Sequence, residues 1–154
     1  DVCSSDLAHL SVKEGTIRQA MAINETIPEF SSPQPYTANY FTDRYRKKDH
    51  CILIAFVGNA PAGYMVSYDR DSDNSFYCWM AGVDPLHRRK GVMKQLMTHQ
   101  LQWAKDKDYK KLTIKTRNCR REMLAFLVSN GFMFTETTPY EEIEQTRIHL
   151  EKLL

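Results

Sequence analysis

The sequence predicts a single α/β domain (an α+β mixed sheet), in which a central mixed sheet is flanked by helices. The length of 154 residues suits one domain, and the content of 42% hydrophobic and 26% charged residues is typical of a globular protein. Helix and strand patterns alternate along the chain, which indicates helices layered on a sheet. Residues 76–116 have a strand–helix–strand pattern, which should cross over with a right hand and pair its two strands in parallel.

The first part of the chain is predicted to contain two helices. In residues 16–27 the apolar side chains recur on one helical face, and Pro28 ends the segment. Residues 31–35 are rich in serine and proline, so we expect a loop there. Residues 36–48, which end in a basic run, form the second predicted helix.

Three strands are predicted to follow, over residues 51–57, 62–68 and 76–83. The dipeptide Gly58-Asn59 signals a turn between the first two strands, and the polar residues 69–75 separate the second from the third. Because residues 76–83 are apolar along their whole length, we expect both faces of this strand to be covered.

The second half of the chain alternates between helix and strand. Residues 91–107 have the strongest helical periodicity, with apolar residues on one face. A half-buried strand over residues 112–116 and a helix over residues 120–130 are predicted next. Two closing strands are predicted over residues 132–137 and 146–153.

Composition argues against several classes of protein. The net charge of +2 is too small to imply a nucleic-acid or membrane partner. None of the four cysteines forms a C-x-x-C pair, and the histidines lack ligand-like spacing, so we expect no metal site. No stretch has the pattern of a membrane span or of a secretory leader. The expected location is therefore the cytoplasm.

The first seven residues, Asp-Val-Cys-Ser-Ser-Asp-Leu, do not resemble the start of a natural protein. They match the translation of a common sequencing-adapter stretch and contain no initiator methionine. We expect residues 1–7 to be a non-native artefact and residues 8–154 to form the domain.

The most informative segment spans residues 83–96, at the predicted junction between a buried strand and an amphipathic helix. A helix N-terminus presents free backbone N–H groups and the positive end of the helix dipole, which together suit an anion. Gly91 lets the backbone approach a ligand closely. Neither a Walker loop nor a dinucleotide fingerprint is present. The basic residues nearby favour a pyrophosphate, although a merely solvated basic face is the alternative; they are Arg88, Arg89, Lys90 and Lys94.

This segment resembles the GNAT superfamily of acyl-CoA N-acyltransferases, which have V-x-P-x-x-[QR]-x-x-G-x-[GA]-x-x-L at a strand-to-helix junction. The chain departs from that pattern at Met93, where glycine or alanine is usual. The matching residues are Val83, Pro85, Arg88, Gly91 and Leu96, with Asn118 and Gly131-Phe132 fitting the family pattern downstream.

The resemblance implies that acetyl-CoA is the co-substrate. Backbone amides of residues 89–94 would hold its pyrophosphate, residues 81–83 would pair with the pantetheine arm, and Asn118 would contact it from the end of the next strand. The family fold also begins with a short edge strand, which we expect to be missing or garbled here. The expected cofactor-binding residues are Ala81, Gly82, Val83, Arg88, Arg89, Lys90, Gly91, Val92, Met93, Lys94 and Asn118.

Acyl transfer to an amine needs proton acceptors and donors. An amine of pKa ~10.4 must lose a proton, so a general base is useful, and Glu29 is the preferred candidate over Glu25 and Asp69. The backbone N–H of Val83 would stabilise the oxyanion. The tyrosine that often protonates the leaving thiolate in the family is Leu127 here, so Tyr77 or a water would take that role. Glu29 as an ordinary surface charge and Tyr77 as a pocket wall remain the alternatives.

The predicted function is transfer of acetyl from acetyl-CoA to a primary amine of a small molecule or peptide by direct attack. One alternative is a CoA-binding module without turnover. Others are a protein acetyltransferase acting on N-termini or lysines, and an unrelated phosphate-binding protein. The expected partners are acetyl-CoA and an amine acceptor, with no nucleic acid or membrane, in a monomer or homodimer.

Overall fold

The computed structural model describes residues 9–34 and 36–154, whose strands form a seven-stranded mixed sheet in the order β1-β2-β3-β4-β5-β7-β6. The interpretation of residues 1–7 as non-native, and residue 35 of the predicted loop, lie outside the described residues. The strands are β1 (Leu10–Glu14), β2 (His50–Val57), β3 (Ala60–Tyr68), β4 (Ser75–Val83), β5 (Lys111–Arg117), β6 (Met133–Thr138) and β7 (Arg147–Leu153). The helices are α1 (Ile17–Asn24), α2 (Ala38–Tyr45), α3 (Val92–Asp106) and α4 (Arg121–Ser129).

The predicted fold class is confirmed, and the predicted elements are all present, with one correction at the start of the chain. The edge strand that was expected to be missing or garbled is present as β1. It pairs antiparallel with β2, from Leu10 opposite Val57 to Glu14 opposite Leu53. Only Leu10 and Val12 of this strand pack against the core, so its apolar pattern is too short to stand out in the sequence.

The four helices cover both faces of the sheet, because each presents an apolar stripe that it must bury. α3 and α4 cover one face, where Leu96 and Leu127 are fully buried among residues of β2–β5. α1 covers the other face with Ala20 and Ile23, and Tyr45 of α2 joins the same cluster. In the described residues, no helix is both long and apolar enough to cross a lipid bilayer.

Strands β4 and β5 pair in parallel, as predicted, but only over their first halves. Ser75–Cys78 align with Lys111–Ile114, and no pairing between the two strands follows. A β-bulge occurs at this point, because Val66 of β3 faces Met80 while Ser67 faces Cys78, leaving Trp79 as the extra residue. A bulge bends its strand and increases its twist. A wedge-shaped gap therefore opens between the ends of β4 and β5, from which α3 and α4 start.

Gly63 of β3 sets how closely α3 approaches the sheet. A Cβ at this position would lie 2.7 Å from Cγ1 of Val92 and 3.2 Å from Cδ1 of Leu96. Since real Cβ atoms do not come that close to a neighbour, the first turn of α3 needs a glycine beneath it. The missing side chain thus holds the N-terminus of α3 beside the end of β4.

Candidate functional site

The loop between β4 and α3 presents six consecutive backbone amides, those of Arg89 to Lys94. Within the described residues none of these N–H groups has a backbone or side-chain acceptor, whereas the next amide, of Gln95, donates to the carbonyl of Gly91 at 3.1 Å. Gly91 is the N-cap of α3 and has no side chain to bond the first turn. Unpartnered donors at a helix N-terminus form a ready anion site.

The backbone of this loop has an uncommon conformation. Arg89 has φ 63° and Gly91 has φ 80°, both in the left-handed region. For a side-chain-bearing residue such as Arg89 this conformation is unfavourable, and such residues cluster at ligand-binding loops.

The charged side chains of the loop have different environments. Arg89 and Lys90 are exposed and have no acidic partner among the described residues. Nζ of Lys94 donates to Oδ1 of Asn130 at 2.6 Å, so this cation is held near the loop. Nδ1 of His87 is buried and has no hydrogen-bond partner in the part of the chain that the structure describes. A phosphate group would supply acceptors to the lysine and arginine side chains, and to Nδ1 of His87 in the tautomer that has its proton on this nitrogen.

A cleft of about 720 Å³ extends from this loop and is called here the loop cleft. Met93, the departure from the expected pattern, lines it while packing against the core, so it does not fill the space. Predicted site residues that line the loop cleft are Ala81, Gly82, Val83, Arg88, Arg89, Gly91, Val92, Met93, Lys94 and Glu29.

Asn118 does not line the loop cleft in this structure. Its Nδ2 donates to the carbonyl of Ile143 at 3.2 Å, and its Oδ1 accepts from Nη1 of Arg121 at 2.7 Å. The side chain thereby joins the end of β5 to the segment before β7 and to α4. Its contact with acetyl-CoA stays a prediction, and it would require these bonds to rearrange.

A second cleft of about 720 Å³, called here the aromatic cleft, lies on the α1–α2 face of the sheet. Its walls include Tyr40, Phe41, Tyr77 and Trp79. The residues lining both clefts are Glu29, Phe30, Ala81, Arg120 and Met123. The two clefts therefore meet beside Ala81, in the gap that opens where β4 and β5 separate. This arrangement brings a ligand in one cleft next to a ligand in the other.

Comparison with known proteins shows to which family the chain belongs. The model of the acetyltransferase (GNAT) family matches residues 17–132. The chain belongs to the GNAT family. The resemblance noted in the sequence is thereby confirmed. No curated protein sequence matches the chain significantly.

Solved structures share this GNAT fold at low sequence identity. The Ard1 protein of Thermoplasma volcanium is 19% identical with a TM-score of 0.77, over 94% of this chain and 97% of that one. The ribosomal-protein-S18-alanine N-acetyltransferase of Escherichia coli is 14% identical with a TM-score of 0.73, over 94% of each chain. A Bacillus anthracis str. Ames protein, solved in complex with acetyl coenzyme A, is 22% identical with a TM-score of 0.65, over 74% and 68%. At these identities the likeness shows the fold.

Glu29 of this GNAT domain lies where the two clefts meet, but it is already paired. Nη1 and Nη2 of Arg88 donate to its two carboxylate oxygens, each at 3.0 Å, and Nη2 of Arg120 donates to its carbonyl at 2.9 Å. The hydrogen bonds from Arg88 lower the pKa of Glu29 to about 2. A carboxylate of so low a pKa is a weak proton acceptor, because base strength falls with pKa. Its role as general base stays a prediction, which this geometry disfavours.

The pairing also changes the interpretation of Arg88, which was expected to bind the cofactor. Although Arg88 lines the loop cleft, its guanidinium is paired with Glu29, and its Nε lies 3.4 Å from the carbonyl of Val83. The bidentate geometry fixes the segment before α2 against the loop. Arg120 reinforces the link, with its guanidinium 5.3 Å from the ring centroid of Phe30. Neither contact was foreseen from the sequence, since Glu29 and Arg88 are 59 residues apart.

Tyr77 lies in the aromatic cleft, where burial raises its pKa to about 12 and keeps it protonated. It precedes Ala81 by four residues on β4, or ~13 Å along the strand at ~3.3 Å per residue. That separation is long for direct proton donation to a thiolate leaving beside Ala81. Leu127, at the position of the family tyrosine, is fully buried in the core. The role of Tyr77 as general acid stays a prediction, and contact with the acceptor suits its position better.

We expect replacement of Glu29 by glutamine to leave the shape of the pH–rate profile unchanged between about pH 5 and 9. With a pKa of about 2 instead of the ordinary 4.5, Glu29 is ionised throughout that range and produces no limb. The rate itself should fall about 2- to 10-fold, because the link to Arg88 is lost and exposed ion pairs contribute modestly. The measurement is kcat/KM against pH for both proteins, with Glu141→Gln as a surface-charge control. If the unmodified protein and Glu141→Gln showed a fall of kcat/KM at acidic pH that was missing in Glu29→Gln, Glu29 would be supported as the general base.

Proposed function

We propose that the protein transfers the acetyl group of acetyl-CoA to a primary amine, with direct attack of the amine on the thioester. The observation that supports this most is the meeting of two clefts beside Ala81, one of which begins at six unpartnered amides. A transferase needs separate sites for donor and acceptor that bring the reacting atoms together. Membership of the GNAT family supports the same reaction class.

In this proposal the loop cleft binds acetyl-CoA. The amides of residues 89–94 would donate to its pyrophosphate, assisted by the dipole of α3 and by the buried Nδ1 of His87. Past the bulge, the edge of β4 facing β5 has no strand partner among the described residues. The amide groups of the pantetheine arm would pair with this edge along Ala81–Val83, as an added strand would. The thioester would then lie where the clefts meet.

The proposed step begins with the neutral amine, after the ammonium form has released one proton to water, and moves a second proton from nitrogen to sulfur. The acceptor amine forms a bond to the thioester carbonyl carbon, the C–S bond breaks, and CoA leaves as a thiol. A backbone N–H near Gly82 or Val83 would donate to the oxyanion that develops between these events. The side chain of Arg120, which lines both clefts, lies where it would favour the departing sulfur in its anionic form.

Thermal unfolding with candidate ligands tests the proposal. At 100 times its dissociation constant, a ligand stabilises the folded state by about 2.7 kcal/mol. Acetyl-CoA should raise the melting temperature by several degrees, whereas ATP and NAD at equal concentration should not. Release of free thiol from acetyl-CoA should then depend on an added amine.

Two results would contradict the proposal in different ways. If acetyl-CoA gave no thermal shift, the assignment of the loop cleft would be wrong. A shift without thiol release for any amine, including peptides with free N-termini and lysines, would favour a CoA-binding module without turnover.

A further inference from the structure

The aromatic cleft has a strong excess of positive charge. Its one carboxylate in the part of the chain that the structure describes is that of Glu29, which is paired with Arg88. The basic side chains that line it are Arg44, Arg70, Lys115, Arg117, Arg120 and Arg147. A cleft lined by one sign of charge concentrates ligands of the opposite sign.

Aromatic rings hold several of these cations in place. The guanidinium carbon of Arg70 lies 3.9 Å from the ring centroid of Tyr77, and that of Arg44 lies 5.1 Å from that of Trp79. Arg44 also donates to the hydroxyl of Tyr40 at 3.0 Å. Cation–π contacts position a guanidinium without neutralising it, so its charge stays available to a ligand. Arg70 also forms an ion pair with the exposed carboxylate of Asp71, which offsets part of its charge from outside the cleft, whereas Arg44 has no carboxylate partner among the described residues.

Lys115 lies among these arginines without an acidic partner in the described residues. Partial burial, together with the charges of Arg70, Arg147 and Arg44, lowers its pKa below the ordinary value. Like charges gathered in this way repel one another, which is unfavourable unless an anion joins them. The four side chains come from α2, the β3–β4 turn, β5 and β7, so four elements direct positive charge to one place.

We infer that the acceptor is an amine that also has an anionic group, a carboxylate or a phosphate, bound by Arg44, Arg70, Lys115 and Arg147. This inference rests on the proposed transfer to an amine. The same positive potential disfavours a simple ammonium ion, so an acceptor without a compensating negative group is repelled. It also favours loss of the proton from the attacking nitrogen, in a cleft where Glu29 is a weak base.

The size of the acceptor follows from the register of the two strands. Lys115 comes directly after Ile114, which aligns with Cys78, and Ala81 lies three residues beyond Cys78. In the parallel register Lys115 lies one residue beyond Cys78, so the anion site and the meeting point of the clefts are two residues, or ~7 Å, apart along the strands. Since lysine and arginine side chains reach several ångströms toward that point, a small molecule spans the distance.

The first test compares amines that differ in charge and are matched in the reacting nitrogen. With acetyl-CoA saturating, kcat/KM should be ~10- to 100-fold higher for 4-aminobutyrate than for butylamine, the range expected for hydrogen bonds to a charged group. 1,4-Diaminobutane should be the poorest of the three. The pair 3-aminopropyl phosphate and 3-aminopropanol distinguishes phosphate from carboxylate as the preferred anion.

The second test changes the protein. Lys115→Met should remove most of the preference for the anionic amine, and Lys115→Glu should reverse it in favour of 1,4-diaminobutane. Lys110→Met, which removes an exposed lysine outside the cleft near the start of the same strand, is the control and should keep the preference. Thermal shifts by each amine with CoA present report binding without turnover, and circular dichroism checks folding.

The outcomes separate this inference from the proposed function. If butylamine and 4-aminobutyrate react equally well, and Lys115→Glu changes neither, the inference is wrong while the transferase proposal stands. If no amine reacts, the proposed function fails, and the thermal shifts decide the inference: a shift by the anionic amines that is lost in Lys115→Glu supports anion binding. If the anionic amines cause no thermal shift, the inference of an anion site is overturned.

Discussion

Replacement of Gly91 by valine should weaken acetyl-CoA binding at least about 100-fold, which corresponds to about 2.7 kcal/mol. Gly91 has φ +80°, a conformation that costs a β-branched residue about 1–2 kcal/mol or more. No atom lies within 4 Å of the position its Cβ would occupy, so the new side chain would occupy open space at the edge of the loop cleft, which Gly91 lines and where the ligand is proposed to bind. The amides on either side would also turn away from the phosphates. Isothermal titration with acetyl-CoA measures the loss.

Gly58 offers a matched control for this substitution. It has φ +61° in the turn between β2 and β3, and no atom lies within 4 Å of its Cβ position either. Gly58→Val should therefore lower the melting temperature about as much as Gly91→Val does, while leaving acetyl-CoA affinity intact. Equal affinities in the two variants would show that the β4–α3 loop does not bind the cofactor.

Replacement of Gly82 by alanine should destabilise the fold by about 1–3 kcal/mol, through overpacking on the α1 face of β4. The added Cβ would lie 2.5 Å from Cδ1 of Ile27 and 2.9 Å from Cε2 of Phe30, both too close for undistorted contact. Ile27 is almost fully buried, so it has little room to move. We expect the melting temperature to fall by roughly 2–4 °C per kcal/mol, and the rate to fall as well, because Phe30 forms the wall between the clefts.

A double-mutant cycle with Ile27→Val isolates the contact, since this change removes the Cδ1 atom that the new Cβ would meet. Alone, Ile27→Val should cost about 0.5–1.5 kcal/mol. In the Gly82→Ala background it should cost less or even stabilise, with a coupling of roughly 1 kcal/mol. Denaturant unfolding of the four proteins gives the cycle. If the two changes in the free energy of unfolding simply added, a contact other than that with Cδ1 of Ile27 would be the cause of the destabilisation by Gly82→Ala.

Local sequence patterns were sufficient for most of the fold. Helix α3 was predictable because its apolar side chains repeat over 15 residues, and β4 because its continuous apolar run requires cover on both faces. β1 escaped prediction since two apolar residues do not make a pattern. The bulge at Trp79 also escaped, although it opens the gap between the clefts. Its position follows from how β3 and β4 align, which one strand alone does not encode.

In the candidate site, too, local patterns predicted some features and missed others. The β4–α3 loop could be found because its amides belong to consecutive residues, and a helix N-terminus leaves them unpartnered wherever it occurs. The pairing of Glu29 with Arg88 joins segments 59 residues apart, and it turned a predicted base into a carboxylate of pKa about 2. No local sequence pattern predicts an ion pair between such distant residues.

The sequence by itself determined the order of the elements after β1, the parallel β4–β5 unit and the loop of unpartnered amides before α3, because each depends on periodicity or chain direction over neighbouring residues. Only the tertiary structure decided where β4 and β5 separate, which charges are already paired, and that Arg44, Arg70, Lys115 and Arg147 face one cleft. The physical reason is that side chains from distant elements interact through space. Their charge, burial and partners therefore depend on packing that no single segment specifies.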